Sequence, residues 1–106
     1  MKYPKLFEKG KIGKVELKNR IVMPAMGTGF ASSTGEASDE IIRFYADRAK
    51  GGCGLIITEI CRIDEETGIG TSNQLCATDS KHIPRLVRLA EAVHAYDTKI
   101  FLQLHH

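Results

Sequence analysis

The residues able to do chemistry gather where short apolar runs end. Gly27-Thr28-Gly29 comes shortly after Ile21-Val22-Met23, Glu59-Ile60-Cys61 follows Leu55-Ile56-Ile57-Thr58, and Gln103, His105 and His106 close the run that begins at Ile100. Gln103 carries a donor and an acceptor in one neutral amide, so it can match the imide edge of a planar heterocycle without adding charge. The plainer reading is a glutamine satisfied by neighbouring backbone. His105 and His106 could bind an anion, move protons or ligate metal, but consecutive strand residues point to opposite faces and do not easily share one role. Their position also suits the start of an expression tag. Gly27-Thr28-Gly29 invites comparison with the dinucleotide fingerprint, whose glycines let backbone approach pyrophosphate at a helix start. That match fails: no third glycine follows at the required spacing, and the next helix signal comes only at Ser38. Glu59 stands where a ribose-binding acid would be, or else is a polar terminator of a strand leaving the core.

The remaining polar candidates read as structural. Cys53, Cys61 and Cys76 are odd in number and show no C-x-x-C or Cys/His spacing, so no metal site is expected and reduced, mostly buried thiols are. His82 and His94 read as surface residues of a helix, and Lys81, Arg85 and Arg88 as its solvated face.

Positioning these groups requires strands with loops after them. Residues 11–17 alternate apolar and polar about Gly13, which predicts a short β-hairpin. Ile21-Val22-Met23, ended by Pro24, predicts a buried strand. Residues 26–37 are rich in Gly, Ser and Thr and read as a loop contributing nothing to the core. Ser38 then offers an N-cap, Asp39 and Glu40 complement the helix dipole, and Ile41, Ile42, Tyr45 and Ala49 recur at helical spacing up to Lys50-Gly51-Gly52. Leu55 to Ile60 predicts a second strand, and the stretch from Arg62 to Thr78 a loop too polar to be buried. A second helix is expected from Ser80, with Pro84 in its first turn and Ile83, Leu86, Val87, Ala90 and Val93 as its apolar stripe. Lys99 to Leu104 predicts a third strand.

The chain has 106 residues, one domain's worth at most. Its charge of +2 is scattered and leaves no footprint for nucleic acid, while 42% hydrophobic and 26% charged residues suit a globular fold. No apolar run reaches the roughly 18 residues of a membrane span. The N-terminus, broken by Pro4, carries neither secretory nor transit character, so the cytoplasm is the expected location. Strand, helix, strand, helix, strand is the order of βαβ units in a parallel sheet. A third strand without its covering helix would expose apolar surface and an edge, so a larger α/β protein is expected. A (β/α)₈ barrel leads and a doubly wound sheet comes second.

With those elements in place, Lys18-Asn19-Arg20-Ile21-Val22-Met23-Pro24-Ala25-Met26 resembles the opening strand of the NADH:flavin oxidoreductase, or old yellow enzyme, family. Leu6-Phe7 with the hairpin, the segment from Gly51 to Glu59, and Gln103-Leu104-His105-His106 recur in that family in this order and at about this spacing. The resemblance spans nearly the whole chain and makes the terminal histidines look native. It implies the N-terminal βαβαβ portion of a (β/α)₈ TIM barrel, preceded by a short β-hairpin. It further implies bound FMN, NAD(P)H as reductant, and hydride transfer to the activated C=C bond of an enone, enoate or enoyl thioester. By matching positions, Pro24, Ala25, Met26 and Gly27 would lie against the flavin, Ile60 would touch it through backbone, and Gln103 would pair with its pyrimidine edge. Gly27 is a departure, since many relatives carry Thr or Cys there to bond the flavin. With Thr28-Gly29 it makes the chain look closer to the 2,4-dienoyl-CoA reductase and enoate reductase branch, in which a 4Fe-4S cluster and an FAD domain follow the barrel. The family's substrate-binding histidine pair, proton donor and phosphate-binding loops correspond to positions after His106. Residues 1–106 are therefore expected to be the incomplete N-terminal part of a single FMN-binding domain, inactive alone, with homo-oligomer formation open. Two readings of another class stand beside this one: a free-standing nucleotide-binding or interaction module, and a truncated product with no function of its own.

Overall fold

The structure is a computed structural model and describes residues 2–106. A 3-10 turn, Pro4–Phe7, leads into an antiparallel hairpin of β1 (Gly10–Ile12) and β2 (Val15–Leu17), whose turn uses Gly13 at φ +57°. There follow β3 (Val22–Met23), α1 (Asp39–Lys50), β4 (Leu55–Arg62), β5 (Leu75–Cys76), α2 (Ile83–His94) and β6 (Lys99–His105). β4 is central. β6 pairs with it in parallel along its length, while β3 pairs in parallel at Leu55–Ile56 and β5 at Cys61–Arg62. The expected βαβαβ order and hairpin are both present.

Local chemistry sets the helix ends as the sequence predicts. Ser38 accepts the Ile41 N–H at 3.1 Å, Asp39 and Glu40 occupy the first turn, and Arg48 and Lys50 the last. Ile41, Tyr45 and Ala49, one turn apart, are buried, and Ile42 packs against the same core. Full burial of a side chain such as Ile41 or Ile56 contributes about 1.5–3 kcal/mol.

Five expectations need correction. The loop after β3 does enter the core: Ala31 and Ala37 are buried and Phe30 packs beside them. Residues 62–78 are not all exposed loop either, because Gln74, Leu75 and Cys76 are buried and two of them form β5. So short a strand has no periodicity to betray it; it exists because Cys76 N–H reaches Gly35 O and Ala77 N–H reaches Arg62 O. The stripe of α2 is also turned. Ile83 and Val87 are exposed, and the inward line runs His82, Leu86, Leu89 and Val93, at positions i, i+4, i+7 and i+11. A 3-10 turn, Ser80–His82, precedes the helix, so His82 takes a core position and is 1% exposed. Arg85 likewise leaves the solvated face, donating to Ala37 O at 2.7 Å and pairing with Asp39. That pairing lowers the Asp39 pKa.

A bulge in β4 decides what faces the functional end. Ile57 pairs with Phe101 and Ile60 with Gln103, so β4 spends three residues where β6 spends two. Ile56 and Cys61 consequently share the helix-facing core although five residues apart, which strict alternation forbids. Past the bulge Ile60 stands beside Gln103 on the opposite face, and Glu59 turns toward Tyr45 of α1.

Candidate functional site

The C-terminal ends of β3, β4 and β6 converge on an open cleft of about 320 Å³, lined by Ala25, Met26, Gly27, Glu59, Ile60, Thr71 and Gln103. This volume lies at the low end of the roughly 300–1,000 Å³ typical of small-molecule pockets. Five of the six residues expected against a cofactor are thus brought together. The sixth, Pro24, is exposed at the end of β3 and does not line the cleft.

Each wall has a local cause. The Gln103 N–H donates to Thr58 Oγ1 at 3.1 Å, a bond that replaces the ladder at the bulge and leaves the half-buried side-chain amide to the cleft. Met26, 52% exposed, offers an apolar surface at the mouth. At Gly27 no atom lies within 4 Å of where a Cβ would stand, so backbone there is open to close approach. The cleft carries no basic side chain.

Glu59 does not end its strand, which continues to Arg62; it is 3% exposed and is held by hydroxyls. Thr28 Oγ1 donates to Glu59 Oε1 at 2.7 Å and Tyr45 OH to the same oxygen at 3.1 Å. The Glu59 N–H in turn donates to Tyr45 OH at 2.9 Å. Burial, with the neighbouring carboxylate, pushes the Tyr45 phenol well above its ordinary pKa. Burial also pushes the Cys61 thiol up to about 11, so it is an uncharged thiol at neutral pH. All three cysteines are free, Cys61 and Cys76 buried and Cys53 half-buried.

His105 and His106 do not line the cleft; His105 is half-buried and His106 exposed. Gly27 and Gly29 precede α1 by a long irregular segment, so no helix N-terminus faces them. Sequence reasoning missed Thr71 and the residue that places it. Gln74 Oε1 accepts the Gly70 and Thr71 N–H groups at 2.6 and 3.2 Å, and its Nε2 donates to Gly68 O at 2.8 Å. The one signal was a glutamine beside two apolar residues in a glycine-rich stretch.

Comparison with known proteins adds a second line. A sequence model of the NADH:flavin oxidoreductase / NADH oxidase family matches residues 5–106. The chain is 45% identical over 104 residues to an NADH oxidase of Thermoanaerobacter brockii, a match covering 98% of this chain and 16% of that relative. It is 38% identical to a cinnamate reductase of Clostridium sporogenes, covering 96% of this chain and 15% of the relative. Among solved structures, an old yellow enzyme homologue from Zymomonas mobilis superimposes with a TM-score of 0.87 at 31% identity, covering 97% of this chain and 28% of that one. The chain thus spans about a sixth of the length of these two curated relatives.

Proposed function

Since the chain belongs to the NADH:flavin oxidoreductase / NADH oxidase family, we propose that residues 1–106 are the first three barrel strands of an FMN-binding oxidoreductase. In this reading the enzyme takes hydride from NAD(P)H and passes it to an activated C=C bond of an enone, enoate or enoyl thioester. The observation that carries the reading is the convergence of Ala25, Met26, Gly27, Ile60 and Gln103 from the ends of the parallel strands β3, β4 and β6 on one cleft. Those residues suit a flavin: apolar side chains and open backbone for a flat ring, and one neutral amide for its imide edge. With no basic residue in the cleft, the phosphate of FMN has to be held by other parts of the protein. Bound flavin supplies the hydride chemistry, and these residues bind it and fix its orientation.

One further observation supports the incomplete barrel and another bears on its branch. Leu86, Leu89, Ala90, Ile100 and Leu102 line an apolar groove beside α2, the kind of surface a following helix covers. The long NADH oxidase and cinnamate reductase are more identical to this chain than the shorter old yellow enzyme homologue is. This favours the branch in which a 4Fe-4S cluster and an FAD domain follow the barrel. Enoates and enoyl thioesters are then the favoured substrates.

The test uses the full-length protein. It should purify yellow or saturate with FMN, and under exclusion of oxygen should oxidise NAD(P)H only when an enoate or enoyl thioester is consumed alongside. Gln103→Leu should weaken FMN binding about tenfold, the loss of one to two hydrogen bonds. A full-length protein that neither contains nor binds FMN would refute the proposal.

A further inference from the structure

The hydroxyls around Glu59 reveal their own proton directions. Tyr45 OH accepts the Glu59 N–H at 2.9 Å, and Thr28 Oγ1 accepts the Phe30 N–H at 3.1 Å. Each hydroxyl has one proton, and with backbone donors on the acceptor side that proton turns to Glu59 Oε1. One carboxylate oxygen thus takes two hydrogen bonds, from the β3 loop and from α1. No Lys, Arg or His side chain pairs with Glu59 among the described residues. A 3%-exposed carboxylate without a cation is costly, and a core role alone would be served by an amide or an apolar group. Glu59 also lines the cleft with Met26, Gly27 and Gln103.

We infer that Glu59 is a positioning and potential-setting residue for the flavin: through Thr28 it fixes the Met26–Gly27 wall, and its carboxylate holds a negative charge at the cleft. The inference rests on the FMN reading above. Two-electron reduction with uptake of one proton adds negative charge to the flavin, and a fixed carboxylate nearby opposes it, making the bound flavin a stronger reductant.

The experiment separates charge from position in the full-length holoenzyme. Glu59→Gln keeps an acceptor for both hydroxyls and removes the charge. Its midpoint potential should rise by the equivalent of about tenfold in the reduction equilibrium, about 30 mV for two electrons, with FMN affinity little changed. Thr28→Val keeps the charge and removes the tether; FMN affinity should fall about tenfold with the smaller change in potential, and Thr28→Ser should restore it. An unmoved potential in Glu59→Gln, or unchanged affinity in Thr28→Val, overturns the inference while the FMN reading stands. Should Glu59→Gln not yield holoenzyme, the valine and serine variants of Thr28 decide the matter. A protein that binds no FMN at all removes both.

Discussion

Residues 24–38 and 63–79 leave the same end of the sheet after successive strands, yet they are held in opposite ways. The first segment is anchored at long range. Thr28 bonds Glu59, Thr34 O meets His82 Nε2 at 3.1 Å, Ala37 O accepts from Arg85 at 2.7 Å, and Gly35 O accepts the Cys76 N–H at 2.9 Å. The second mostly closes on itself: Asp64 Oδ1 accepts the Glu66 and Thr67 N–H groups, and Gln74 fastens Gly68, Gly70 and Thr71. One wall of the cleft is therefore built into the core, while the Thr71 wall is a local unit able to open without disturbing it.

The anchored segment is most vulnerable at Gly35. Its φ is +86° and a Cβ would lie 2.3 Å from Cys76 Sγ, so Gly35→Ala should destabilise the intact protein by about 3 kcal/mol or more; a shifted denaturant midpoint reads this. A neutral result would mean that the anchored segment is not rigid. His82→Ala, which removes a buried ring and frees Thr34 O, should cost about 2 kcal/mol on the same measurement. Gln74→Ala should cost only about 1 kcal/mol, and amide exchange should quicken in residues 68–74 while 30–37 stay protected. At pH 8, alkylation mapped by mass spectrometry should mark Cys53 first. Cys61, whose thiol burial pushes up to about 11, and Cys76, shielded from the reagent by its burial, should react only on unfolding. The smallest effect belongs to Gly27→Ala. Its φ is not positive and nothing crowds its Cβ position, so stability should hold within about 0.5 kcal/mol.

Much of this molecule was legible beforehand where a signal is local. Ser38 as an N-cap, the stop at Gly51-Gly52 and the hairpin about Gly13 all depend on atoms within a few residues. The cleft residues Ala25, Met26, Gly27, Ile60 and Gln103 followed from resemblance together with the rule that parallel strands work at their C-terminal ends. Less legible was any residue whose partner is distant. His82 read as surface because histidine breaks an apolar stripe by name, though its spacing to Leu86, Leu89 and Val93 is that of the buried face. Arg85 read as solvated because Ala37 and Asp39 lie on another element.

The sequence alone determined both helices, the hairpin and the strands β3, β4 and β6 in their order, though not β5, since backbone sterics, capping and apolar spacing act between near neighbours. Tertiary structure decided which side chains those elements present. The bulge against β6 turned Ile60 to the cleft and Glu59 to Tyr45 and Thr28, a choice that two-residue alternation in β4 could not make by itself. It arises only when a second strand, some forty residues on, sets the register.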